Sequence, residues 1–161
     1  MTSEILAEVG ASIPRRWLAV AMQMLLGLIL VYVAMNTPPS FGWQVFLVVF
    51  GFASIGMALR TFRVTRDRII LTREGLHSST GEEIIPFAEI KKVERGVFAL
   101  KPSNGFTVIA HNKAPSRRWA PGLWWRFGRR VGVGGVAPGH QTKAMAQIIE
   151  ALVVERDGIE P

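Results

Sequence analysis

The sequence contains no cysteine. Disulfides, thiolate metal sites and a cysteine nucleophile are thereby excluded. Histidine is scarce as well: His77, His111 and His140 are the whole set. No H-E-x-x-H or comparable ligand spacing joins them, so structural or solvated histidines are expected and a metal centre is not. Ser78 and Ser79 stand beside His77 but outside a G-x-S-x-G elbow, which leaves a hydrolase triad without support. No convergent catalytic set and no cofactor are expected, and the chain reads as a non-enzyme.

A second absence is larger. Residues 17–59 contain no Asp, Glu, Lys or Arg, and the apolar run is broken only at Asn36-Thr37-Pro38-Pro39-Ser40. Two arms result, 17–35 and 41–59, and as a helix each reaches about 28 Å at roughly 1.5 Å per residue, close to the hydrocarbon thickness of a bilayer. A buried helix of a large protein can also be apolar all round. A chain of 161 residues, however, has too little mass to enclose two such helices on every side. A secretory signal fits poorly too, since Glu4, Glu8, Arg15 and Arg16 precede the first arm and a second arm follows. The expected reading is a transmembrane hairpin.

Its orientation follows from the flanking cations. Arg15 and Arg16 precede the first arm, Arg60, Arg63, Arg66 and Arg68 follow the second, and the turn between carries no charge. Both ends are therefore expected in the cytoplasm, with residues 1–16 a short cytoplasmic segment. No ionisable acid or base lies within the arms, which argues for an anchor over a proton or ion pathway. Gly27, Gly51 and Gly56 are the candidate helix-packing positions, although GxxxG spacing is absent.

Beyond the hairpin, residues 61–161 change character. Phe62 and Val64, then Ile69 to Leu71, open a strand pattern, and Arg73-Glu74-Gly75 supplies a turn. Glu83-Ile84-Ile85, Lys91 to Leu100 and Phe106 to Ala110 continue it, with Asn104-Gly105 as a hairpin signal between the last two. Short strands joined by tight turns predict an antiparallel barrel or sandwich. Met145, Ile148, Ile149, Leu152 and Val153 then recur at helical spacing, with Gly139 or Thr142 as the start, and predict an amphipathic C-terminal helix. The fold class is α+β.

The order of elements, with R-D-R-I-I-L-T-R-E-G-L leading to I-I-P-F-A-E-I-K-K-V and one amphipathic helix at the end, resembles the bacterial membrane-anchored pleckstrin-homology-like proteins. The likeness runs from residue 15 to about residue 156 and is most characteristic over Ile69 to Val93. It implies a partly open antiparallel barrel or sandwich, a barrel of about seven strands, closed by the C-terminal helix, here a cytoplasmic domain over 61–161. No phosphoinositide motif can be matched residue by residue, so that ligand is not carried over.

The third absence is of acid. No Asp or Glu lies between Glu94 and Glu150, and most of the net charge of +7 comes from this region. Its densest part interleaves Arg117, Arg118, Arg126, Arg129 and Arg130 with Trp119, Trp124, Trp125 and Phe127. Two readings stand. Indoles at headgroup level with cations on anionic lipid make a membrane contact, at about 1 kcal/mol per cation near the surface. Alternatively, the tryptophans pack against the domain itself, a protein partner or a second copy of the chain, and the arginines meet a partner's carboxylates. The candidate contact residues are Arg117, Arg118, Trp119, Trp124, Trp125, Arg126, Arg129 and Arg130. Nucleic acid is not expected, because positive-inside flanks account for part of the charge. Arg130 to Val136 superficially resembles a glycine phosphate loop but lacks the Gly-Lys-Ser/Thr ending, and it reads as a final strand with a bulge or a close backbone approach.

The expected function is that of an integral inner-membrane protein presenting its domain at the cytoplasmic surface, where it binds a protein partner, anionic headgroups or both. The alternative is an accessory or assembly subunit of a larger membrane complex, recognised through its hairpin.

Overall fold

A computed structural model describes residues 4–37, 39–96 and 101–158. The sequence-expected strand over Lys91 to Leu100 therefore falls partly outside the described residues. Residues 13–63 form one compact unit, and the segment up to Ser12 joins everything from Val64 onward in a second.

The first unit is a pair of helices, α1 (Ile13–Asn36) and α2 (Phe41–Val64), each of 24 residues. Pro14 lies in the first turn of α1, where its missing N–H has no helical partner to lose. At the other end the Thr37 N–H donates to the Val33 carbonyl at 3.0 Å, and the Asn36 side chain adds a second donor to the Tyr32 carbonyl at 3.1 Å. Both helices are long and apolar enough to cross a membrane, and only 17 % of the most apolar window of each is buried. A core helix of a soluble protein would be mostly covered. Leu25, Ile29, Phe46 and Phe50 are among the side chains left uncovered.

Small residues bring the two backbones together. Val20, Gly27 and Ala34 are buried on α1 at a spacing of seven, and Gly51, Ala58 and Thr61 on α2, the first two also seven apart. A Cβ at Gly27 would stand 2.7 Å from the Gly51 carbonyl oxygen, and one at Gly51 would stand 3.0 Å from that of Gly27. Close approach also lets side chains reach the facing backbone: Ser54 Oγ donates to Gln23 O at 2.8 Å, and Gln44 Nε2 to Ala34 O at 3.1 Å. Gly56 takes no part. It is exposed, with open space where a Cβ would go, which corrects its assignment as a packing position within the hairpin.

The helices also run beyond the expected arms, 17–35 and 41–59. Phe62 and Val64, expected to open a strand, belong to the end of α2. The reason is local: the Trp17 ring lies 5.3 Å from that of Phe62, and Arg16 Nη2 donates to the Phe62 carbonyl at 3.0 Å, holding the last turn against α1.

The second unit has two antiparallel sheets. Strands β1 (Ala7–Gly10), β2 (Arg68–Thr72), β3 (Gly75–Ser78) and β4 (Glu83–Pro86) form the first, in that order. Strands β5 (Ile90–Glu94), β6 (Phe106–Ala110), β7 (Arg118–Ala120), β8 (Trp124–Phe127) and β9 (Arg130–Val133) form the second, in the order β5-β6-β9-β8-β7. Neither closes into a barrel among the described residues. Strand β1 was not anticipated, because residues 1–16 read as a segment outside the domain; it pairs with β2 across the inserted hairpin, Gly10 opposite Arg68 and Ala7 opposite Leu71.

One apolar core joins Val9, Ile69, Leu71, Leu76 and Ile84 from the first sheet to Phe106, Val108, Trp124, Val131 and Val133 from the second. Helix α3 (Gly139–Asp157) completes it with Met145, Ala146, Ile149 and Val153, and packs on β1, β5 and β6. The expected stripe is thus correct in phase, with Ile148 and Leu152 only partly buried at its margin. Pro138 precedes the helix and Gly158 follows it in the left-handed conformation, φ 65°. At Gly75, φ is +148° and a side chain would run into the Ile85 carbonyl, so the turn expected from Arg73-Glu74-Gly75 needs a glycine there.

Candidate functional site

The basic, tryptophan-rich segment is a hairpin of β7 and β8, in which Arg118, Trp119 and Ala120 face Arg126, Trp125 and Trp124. Its turn is anchored from behind. Leu123 is buried and its carbonyl accepts from Gly134 N at 2.9 Å, while Val136 N donates to Gly122 O at 3.0 Å. The glycine-rich run that ends β9 therefore serves a close approach of backbones, as its composition predicts.

Alternation along the pleat sorts the candidates onto two faces. Trp124 points inward and is 5 % exposed, a member of the core. Its assignment as a contact residue is corrected: the indole is already committed to the domain's own packing. Arg126, two residues on, points the same way and reaches the first sheet. Its Nη1 donates to Ile84 O at 2.8 Å and Glu83 O at 3.1 Å, and its Nε and Nη2 donate to Ser116 O and Oγ at 3.1 and 2.9 Å. This guanidinium occupies carbonyls on the outer edge of β4, an edge that otherwise invites pairing with another chain. Arg118 is likewise engaged. It forms a two-pronged pair with Glu82, Nε to Oε1 and Nη2 to Oε2, both at 2.8 Å. The hydrogen bond from Arg118 holds the Glu82 carboxyl below its ordinary value against the opposing effect of partial burial, and Glu82 in turn raises Arg118.

The other face is different. Trp119 is 51 % exposed and Phe127 is 57 % exposed. Trp125 stands over Gly132 on the neighbouring β9, where any side chain would collide with the indole. Arg117 lies over the Phe127 ring, 4.4 Å from its centroid, and Arg129 and Arg130 are exposed at the turn into β9. Phe127 was named within the segment but not among its candidate residues; the alternation Trp125, Phe127 on β8 was the signal that places it there.

Among the concave features of the described residues, two are of similar size. A groove of about 400 Å³ runs between β4 and the β6–β7 connection, floored by Ile84, Ile85 and Val131 and rimmed by Glu89, Lys113 and Arg126. A cleft of about 390 Å³ at the start of α3 gathers Arg95, Lys101 and Lys143, with Arg95 paired to Glu150 at 2.7 Å. Among the described residues, no three His, Asp or Glu side chains converge in a way that could hold a metal ion.

No family model, no curated protein and no solved structure matches the chain.

Proposed function

We propose that this chain is a non-enzymatic integral membrane protein in which a spanning hairpin holds a pleckstrin-homology-like domain at the cytoplasmic face of a bacterial inner membrane, where the domain binds a protein partner, anionic headgroups or both. One observation carries the topological part. Strands on either side of the hairpin pair with each other, Ala7–Gly10 with 68–71, so whichever side of a bilayer holds β1 also holds β2 and the rest of the domain. Two helices, each about 36 Å long at roughly 1.5 Å per residue, cross and return. Cations at the flanks and none in the turn give that side as the cytoplasm. The two-sheet core with a C-terminal helix supports the pleckstrin-homology-like reading.

Because the chain lacks cysteine, single cysteines can map it without background. In spheroplasts, S40C is expected to react with a membrane-impermeant maleimide from outside, and E155C only after lysis. Labelling of both from the same side would overturn the arrangement.

A second reading, an accessory or assembly subunit recognised through the hairpin, draws on Gly56, whose exposed face has room for a neighbouring helix. Loss of a co-purifying complex on Gly56→Leu in mild detergent would favour it.

A further inference from the structure

We propose that the outward face of β7, β8 and β9, built by Trp119, Trp125 and Phe127 with Arg117, Arg129 and Arg130, docks on the anionic lipid surface of the membrane that holds the hairpin. The inference rests on the membrane-anchor reading above and goes on to name one face and one partner.

The pleat divides the basic segment in two. Arg118 and Arg126 are engaged by Glu82 and by the β4 carbonyls, and Trp124 is in the core. What remains outward is a cross-strand pair of indoles, Trp119 opposite Trp125, continued along β8 by Phe127. Arg130 is the cross-strand partner of Phe127 on β9, and Arg117 covers the same ring at 4.4 Å. The exposed rings of Trp119 and Phe127, with the half-buried Trp125 beside them and guanidinium groups at the border, suit a bilayer interface: the rings enter the headgroup layer and the cations meet lipid phosphates. Opposing charge is sparse. No acid occurs between Glu94 and Glu150, and Glu94 itself is paired with Lys92 at 2.8 Å. A protein partner would have to supply carboxylates to match this face, whereas an anionic leaflet presents phosphates along the whole surface to which the chain is tethered.

The test uses the full chain in nanodiscs, with a nitroxide on F127C, where the apolar label takes the place of the phenyl ring, and a second label on F46C in α2. Accessibility to oxygen against a water-soluble nickel chelate reports the depth of each. In nanodiscs containing anionic lipid, the 127 label is expected to read as interfacial. In purely zwitterionic nanodiscs, and in ~1 M salt, where the screening length falls to about 3 Å, it is expected to return to water. Arg117→Gln and Arg130→Gln should each lower the ratio of docked to free label roughly five-fold, while Arg118→Gln leaves it unchanged.

A 127 label that stays aqueous in anionic nanodiscs, or reads equally deep in zwitterionic ones, overturns the proposal. If the 46 label reads as lipid-exposed in the same samples, the anchor stands and only the docking face fails, leaving that face to a protein. If the 46 label is aqueous too, the membrane reading itself has failed.

Discussion

Gly10 is the cross-strand partner of Arg68, although the entire helical hairpin lies between them in the chain. The neighbouring Glu8 reinforces the join through an ion pair with Arg68, 2.8 Å from Oε1 to Nη1. The hairpin is thus an insertion between two adjacent strands of one sheet. The domain has two covalent connections to it, through Ala11–Ser12 and through Thr65–Asp67.

That insertion makes the domain discontinuous, with a direct consequence for any fragment of it. A fragment over 61–161 lacks β1, and with it Val9, which is fully buried beside Ile69 and Leu71. It also strips the edge of β2 and the face of α3 that packs on β1. Loss of the valine alone corresponds to about 1.5–3 kcal/mol. The fragment is expected to unfold at much lower urea than a version in which residues 4–12 are joined by a short glycine-serine linker to residue 65. Equal midpoints for the two would show that β1 contributes nothing to the fold.

Arginines that look alike in the sequence should behave differently when removed. Arg126→Ala leaves the carbonyls of Ile84 and Glu83 without their donor on the β4 edge, at a cost of about 1–3 kcal/mol where such groups stay partly buried. Arg118→Ala breaks a solvent-exposed pair and should cost little by comparison. Denaturation midpoints of the full chain in detergent would rank them, and an Arg118 effect equal to that of Arg126 would contradict this division of roles.

The Glu82–Arg118 pair also has a pH signature. Its carboxyl is held below the ordinary value, 4.5, chiefly by the hydrogen bond from Arg118. A carboxylate depressed in the folded state contributes stability above its unfolded value and loses that contribution as pH falls through the folded one. Glu82→Gln should therefore lower stability at neutral pH and differ less and less from the parent as pH drops below 4.5. A difference that is constant with pH would mean the pair is not formed in solution.

Much of this architecture was legible from residues alone, and the exceptions have physical reasons. Charge-free arms, the Gly75 turn and the Met145 to Val153 stripe each repeat a local pattern over enough positions to be read. Ala7-Glu8-Val9-Gly10 does not: four residues with one buried side chain carry no periodicity, and their partner strand is remote in sequence. The basic segment was legible as a cluster but not in its division. Whether an arginine points to Glu82, to Ile84 O or to solvent depends on the β7–β8 register and on strands far away in the chain. Phe127 could have been placed by strand alternation, had the segment been read as a hairpin.

The hairpin glycines offer the sharpest separation of positions that composition treats alike. Gly27 and Gly51 each face the other's carbonyl, at 2.7 and 3.0 Å from where a Cβ would stand, whereas Gly56 meets nothing within 4 Å. The distinguishing pattern is the spacing of seven in Val20, Gly27 and Ala34 and in Gly51 and Ala58. It differs from GxxxG, and it fits two helices crossing at a shallow angle with small residues in the seam. Gly51→Leu must push the helices apart and disengage Ser54 from Gln23 O and Gln44 from Ala34 O, an overpacking cost of about 1–3 kcal/mol. Gly56→Leu should remain within about 0.5 kcal/mol of the parent. Thermal unfolding of the two variants in the same detergent checks this, and a loss at Gly56 matching that at Gly51 would mean that the exposed face of α2 is itself covered by another helix.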